Sequence, residues 1–431
     1  MVQKLQNGIQ WNKTSKFKFK KSKFQNQNIF TDPEKIKRMK KMFFYLGLAC
    51  LLLISTPSPA APWHAATESA NNPGGKSVQP TIAKMLLGEA EGQKIFGYTL
   101  TNSSGMQVKV INFGGKITDI VTPDKNGKMG SVVLGFDSVK SYTDLTSPSV
   151  GATIGRVGNR ISNKKFTLDG QEYNLTANIH GGLKGFNKRF WNIEELPGKK
   201  DVALRMTYLS KDGEEGYPGN LHVTVTYVLT NENELKINYT STTDKATPVM
   251  LTNHSYFNLS GGKEAKILNT EVTIFADRYL EANQEIIPTG NILNVKGTPF
   301  DFTTPQPIGK RIGDSNEQLV SAKGYDLTYV LRNQTGRLEL AANAYDPSSG
   351  RVMQVYTTEP GVIFYTGNNL SEKVTGRGGR MFVKNAGFCF ETQHYPDSPN
   401  QPKFPNTILR PGQTFNSQTI FKFSVRKHQA I

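Results

Sequence analysis

From about residue 84 to Arg426 the chain keeps one texture, short runs rich in Val, Ile, Thr, Tyr and Phe that are each closed by Gly, Asn, Asp or Pro. Runs such as MQVKVINF, VALRMTYL, LHVTVTYVL, ELKINYTS, RVMQVYTT and GVIFYTG read as β-strands, because β-branched and aromatic side chains fit a pleated, half-buried surface. No stretch keeps a helical period for three turns, so helices cannot supply the core. In LHVTVTYVL the alternation puts Leu221, Val223, Val225 and Tyr227 on one face and His222, Thr224 and Thr226 on the other, the pattern of a strand buried on one side. Turn chemistry at Asn102-Ser103-Ser104-Gly105 and Lys125-Asn126-Gly127 separates such runs. The pattern predicts an all-β fold, a large antiparallel β-sandwich of two packed sheets. There is no internal repeat.

The first 83 residues read differently. Residues 1–38 form a basic N-terminal extension. Residues 39–66 read as a signal peptide: Met39 offers a start, Lys40 and Lys41 precede the apolar run Met42–Ile54, and Ala60 or Ala66 closes a small-residue cleavage site. The run is short for a membrane span, although an uncleaved anchor is the alternative. Residues 67–83 are rich in Ser, Pro, Gly and Asn, too poor in apolar surface to order themselves, and read as a flexible linker. The expectation is export, to the periplasm or beyond, with residues 84–431 as the working domain. The same division explains the formal charge of +17: residues 1–42 hold 12 Lys/Arg against two acids. What remains is spread thinly, with no basic aromatic stripe, so no nucleic-acid partner is expected. Cys50 lies in the leader and Cys389 far from it, leaving the mature chain no intramolecular disulfide.

Among six histidines, two stand where chemistry is conceivable. His180 sits in Asn178-Ile179-His180-Gly181-Gly182, where paired glycines permit close backbone approach to a ligand; a loop histidine bonded to local carbonyls is the plain alternative. His254, in VMLTNHSYFNLSGG, shares a strand face with Met250, Thr252 and Tyr256, a surface that could bind a polyol or simply be solvated. Glu391 ends GFCFE, among aromatic residues that would raise its pKa and make it a usable base, though most strand glutamates are exposed. Arg160 in GRVGNRI and Asp326 in Gly324-Tyr325-Asp326 are ordinary surface residues by default.

Taken together these segments resemble the aldose 1-epimerase (galactose mutarotase) family, from about residue 95 to the C-terminus. The stretches that carry the resemblance are GATIGRVGNRI, HGG followed by GFNKRFW, TPVMLTNHSYFNLSG, GYDLTYVL, YTTEPGVIFYTGN and GFCFETQHYPDSPNQPKFP. The resemblance implies a single β-supersandwich with an open sugar-binding cleft, acting on free aldoses such as glucose and galactose. It implies that Glu391 is the general base, His254 the general acid and His180 a second catalytic histidine, while Asn159, Arg160 and Asp326 hold sugar hydroxyls. Two positions depart from the family's pattern: Leu327, commonly histidine, and Ile363, commonly a sugar-contacting glutamine. They put the sugar preference in doubt.

Anomer exchange suits these residue types. The C1 hydroxyl must lose a proton while the ring oxygen O5 gains one, which takes one base, one acid and no metal or cofactor. A neutral His254 donating its N–H is preferred to a cationic one, and His180 would stabilise charge developing on sugar oxygens. Three alternatives stand beside this reading. Two histidines and a glutamate also compose a facial triad for non-haem iron. A sandwich can be a non-catalytic carbohydrate-binding module. A sugar-phosphate epimerase would show extra basic residues in the cleft.

Overall fold

The computed structural model describes residues 79–144 and 149–426. The basic extension, the leader with its cleavage sites and the linker up to residue 78 lie outside the described residues. The first strand, Thr81–Ala90, already begins inside the segment read as linker, because it pairs antiparallel with Gln93–Thr101 along its whole length. Among the described residues no helix is long and apolar enough to cross a membrane.

The strands assemble as the alternation requires. LHVTVTYVL is the strand Leu221–Leu229, with Leu221, Val223, Val225 and Tyr227 buried. It lies between Val202–Ser210 and Glu234–Thr243. These three belong to a nine-stranded antiparallel sheet that also takes in Phe415–Val425, Arg351–Thr357 and Glu339–Tyr345. The opening meander, Thr81 to Ser131, forms a five-stranded sheet of its own. A second five-stranded sheet runs in the order Pro288–Asn294, Arg278–Ala282, Asp326–Val330, Gly361–Tyr365, Cys389–Gln393. The helices Val139–Thr143 and Glu317–Ala322 are single turns, each capped by a side chain, Ser138 and Asn316, that accepts an N–H two residues on. The turns read from sequence close through asparagine and aspartate. Asn102 Oδ1 accepts the N–H groups of Ser104 and Met106, and Asp124 Oδ1 those of Asn126 and Lys128.

One hydrophobic core unites the three larger sheets. Val108, Val110 and Ile117 of the meander meet Val223, Val225 and Phe421 of the nine-stranded sheet and Tyr329, Val362 and Phe364 of the second five-stranded sheet. Phe364 packs on Phe390, Phe302 and Tyr325 with ring centroids 5.3–5.5 Å apart, and Phe364→Ala would cost about 3–5 kcal/mol. Because side chains alternate along a strand, the residues between these core positions turn the other way. Asp326, Thr328, Ile363, Tyr365, Cys389 and Glu391 therefore share the face that looks away from the core.

Candidate active site

Three segments bring the chemistry to that face. The first is Cys389–Gln393, where Glu391 stands directly opposite Ile363 of Gly361–Tyr365, which in turn is opposite Thr328. The second is Thr252–His254, paired with Ala152–Ile154. The third is the pair of loops holding Asn159, Arg160 and His180, joined where Arg160 bridges Ile179. His254 Nε2 lies 3.8 Å from Glu391 Oε1, and the His180 ring meets the His254 ring edge-on, centroids 5.2 Å apart. One ligating atom from each of His180, His254 and Glu391 falls within 4.8 Å of the others. Residues 74 and 137 positions apart along the chain thus converge on one point.

The loops are built for this. Asn159 and His180 both hold positive φ, 54° and 51°, a region that few non-glycine residues occupy, Asn and His more readily than most. They fix each other: the His180 N–H donates to the Asn159 carbonyl at 2.9 Å, and the Asn159 N–H donates to His180 Nδ1 at 3.3 Å. With Nδ1 accepting, a neutral His180 carries its proton on Nε2 and is a donor there. The glycines after His180 serve packing instead of a ligand. A Cβ on Gly181 would lie 1.9 Å from the Gly155 carbonyl oxygen, and one on Gly182 2.3 Å from the Glu215 carboxylate. Gly158 likewise leaves room for Gln393, whose Oε1 would be 2.8 Å from a Cβ.

Burial sets the electrostatics. Glu391 is 2 % exposed, and removal from water pushes its pKa up to about 8, with the Arg160 guanidinium pulling the other way. The aromatic neighbours read from the sequence are not the cause, because Phe388 and Phe390 point into the core. On the Glu391 face its cross-strand neighbour is Ile363. Glu391 Oε2 is buried with no hydrogen-bond partner, a costly state unless a ligand takes it up. Burial likewise pushes His254 down to about 4 and His180 well below its ordinary value, the latter aided by the charges of His254 and Arg160. Asp326 is raised to about 6, by burial first, with Arg160 opposing and Glu391 adding. His254 is further held by Tyr256, stacked on it at 4.9 Å, and by Cys389, whose Sγ is 3.5 Å from Nδ1.

The sequence-predicted site residues therefore gather: His180, His254 and Glu391 at one point, Asn159 bonded to His180, and Asp326 close enough for the charges of Arg160 and Glu391 to act on it. The strand face at His254 is not solvated: Thr252, His254 and Tyr256 are all buried. Cys389 was legible only through alternation, two residues before Glu391. Ile363 is on the Glu391 face, whereas Leu327 joins the main core beside Tyr329 and still lines the pocket that holds Asp326 and Ile363.

Residues 97–422 match the family model for aldose 1-epimerase. The chain belongs to the aldose 1-epimerase family. It is 43% identical over 328 residues to galactose mutarotase of Rattus norvegicus, covering 75% of this chain and 92% of the relative. It is 35% identical over 341 residues to aldose 1-epimerase of Escherichia coli K12, covering 77% and 96%. Among solved structures, galactose 1-epimerase from Lactobacillus acidophilus superposes with a TM-score of 0.71 at 25% identity, over 81% of this chain and 100% of that one. An aldose 1-epimerase family member is thus an isomerase-family chain whose expected sandwich fold agrees with its solved relatives.

Proposed function

We propose that the chain interconverts the α and β anomers of free aldoses, glucose and galactose among them, with Glu391 and His254 moving the protons. The observation that carries this reading is the buried, unpartnered Oε2 of Glu391 beside His254 and His180. With His254 lowered to about 4 and Glu391 raised to about 8, the pair shares a single exchangeable proton between those limits.

That one proton serves both directions. With the proton on His254, Glu391 takes the proton of the C1 hydroxyl, the C1–O5 bond breaks as the carbonyl forms, and His254 protonates O5. The products are a protonated Glu391 and a neutral His254, the arrangement that burial favours in the empty cleft. Rotation about C1–C2 presents the other carbonyl face. His254 then takes the O5 proton as O5 attacks C1, and Glu391 returns its proton to O1. His180, donating from Nε2, stabilises charge on a sugar oxygen. Arg160 and Asn159 donate to sugar hydroxyls and Asp326 accepts from them. The sequence reading preferred a neutral His254 as the donor; in this scheme His254, lowered to about 4 by burial, instead carries the proton during opening, which a permanently neutral donor could not deliver in full.

The test is polarimetry of freshly dissolved α-glucose and α-galactose with the purified protein. Acceleration above the spontaneous rate supports the reading. Saturable sugar binding without acceleration would favour the carbohydrate-binding alternative.

A further inference from the structure

The small pocket beside the proton pair is lined mostly by hydrocarbon. Asn159, Asp326 and Thr328 are its polar residues, and Leu280, Ile286, Leu327 and Ile363 are among its apolar ones. Ile363 is the apolar lining residue next to the proton pair. It stands between Glu391 and Thr328 in the register of the sheet, so its side chain is a same-face neighbour of the Glu391 carboxylate.

The same lining holds a second isoleucine, in strained backbone. Ile286 holds φ at 60°, a conformation that a β-branched residue rarely adopts. The turn around it is locked: Asn283 Oδ1 accepts the N–H groups of Glu285 and Ile287, each at 3.0 Å, and the Asn283 N–H donates to the Ile287 carbonyl at 2.9 Å. Backbone strain of this kind persists where the surroundings over-determine it, and it gathers at ligand clamps.

A sugar edge lying along Ile363 and Ile286 meets hydrocarbon. A hydroxyl brought against those two side chains gives up water and gains no hydrogen bond from them, while a C–H or methyl group gains burial. Resting on the anomer-exchange reading, we propose that this cleft prefers deoxyaldoses, in which a hydroxyl is replaced by hydrogen or a hydroxymethyl by methyl, over their fully hydroxylated parents. Ile363 and Ile286 are the specificity-determining residues. An apolar pocket rejects an added hydroxyl by about a hundredfold at most, so the preference is about ten- to a hundredfold in kcat/KM.

The experiment measures kcat/KM for anomer exchange by the full chain on glucose, galactose and each of their 2-, 3-, 4- and 6-deoxy analogues, corrected for spontaneous rates. One deoxy sugar should exceed its parent by about tenfold or more, and Ile363→Gln should invert that ratio by placing an amide where the hydroxyl lies. Ile286→Asn, which tolerates the left-handed backbone, should move the ratio the same way and decides the matter if Ile363→Gln does not fold. Parents faster than every deoxy analogue, or a ratio indifferent to the substitution, overturns the proposal. Failure to accelerate exchange on any aldose sinks the underlying functional reading instead.

Discussion

Two histidine–glutamate pairs, one ending on Glu391 and the other on His394 three residues later, behave as opposites. His394 Nδ1 is 2.6 Å from Glu359 Oε2, in hydrogen-bond contact, whereas His254 Nε2 is 3.8 Å from Glu391 Oε1. Burial alone would lower the His394 pKa, but the charge and hydrogen bond of Glu359 outweigh it and the pKa is raised. In the second pair no direct bond offsets burial, so the histidine falls to about 4 and the glutamate rises to about 8. In the touching pair the protonated histidine is favoured. A pair held slightly apart stays ready to exchange a proton with whatever enters between them.

The sharpest way to break this comparison is to remove one acceptor from each pair. Glu391→Gln keeps shape and deletes the base, so turnover should fall by about 10² to 10⁴ with only a modest change in binding. Glu359→Gln should leave turnover within about twofold, since a general base is not lost there. Initial mutarotation rates of the two folded variants decide; equal losses, or a Glu391→Gln enzyme at the wild-type rate, would sink the division of roles.

A second measurement reads the separated pair directly. The one-proton state spans the interval from His254 at about 4 to Glu391 at about 8. Below the lower limit both groups are protonated and the base is gone; above the upper limit both are deprotonated and the acid is gone. A profile of kcat/KM against pH should therefore be a broad bell, falling about tenfold per unit outside these limits. Ordinary values of about 4.3 and 6.5 would confine activity to a mildly acidic window, and finding that narrow window would mean the burial is relieved in solution.

The contrast also explains what the sequence could and could not tell. Alternation in LHVTVTYVL and the Asx turns carried the all-β fold, because both are local rules. Motif resemblance named the six candidate site residues, and alternation places Ile363 on the face of Glu391, while Leu327, a core residue by alternation, also lines the pocket beside Asp326. What stayed hidden depends on distant partners. No local pattern announces that His394 meets Glu359, 35 residues away, that His180 and Asn159 take up left-handed backbone to bond one another, or that Gly181 serves the Gly155 carbonyl. The raised pKa of Glu391 was anticipated in direction but from the wrong neighbours, since the flanking phenylalanines face the other way.

The touching pair should reveal itself in stability. Replacing Glu359 by Gln weakens a charge-assisted bond by about 2 kcal/mol. The sign follows from His394: its folded pKa is raised, so its stabilising share is whole below the unfolded value of about 6.5 and is lost as pH rises through the folded value. Urea melts of wild type and Glu359→Gln should differ most at pH 5.5 and converge toward pH 9. A gap that widens with pH would show that the pair is not held charged.

The smallest expected effect is none, and it concerns metal. His180, His254 and Glu391 have the composition of an iron or zinc site and gather within 4.8 Å. Two ligands about 2.1 Å from one ion stand roughly 3.0–3.4 Å apart at octahedral or tetrahedral angles, and the 3.8 Å between His254 and Glu391 is wider. His180 offers only Nε2, because Nδ1 is taken by the Asn159 N–H. The Arg160 charge acts on both Glu391 and His180 and would repel a dication lying between them. Proton transfer alone accounts for the reaction, so dialysis against a strong chelator should leave the mutarotation rate unchanged. Stoichiometric iron or zinc in the active protein, lost with activity on chelation and restored with it on re-addition, would mean that the open pair is a ligand set after all and that its separation serves an ion in place of a sugar.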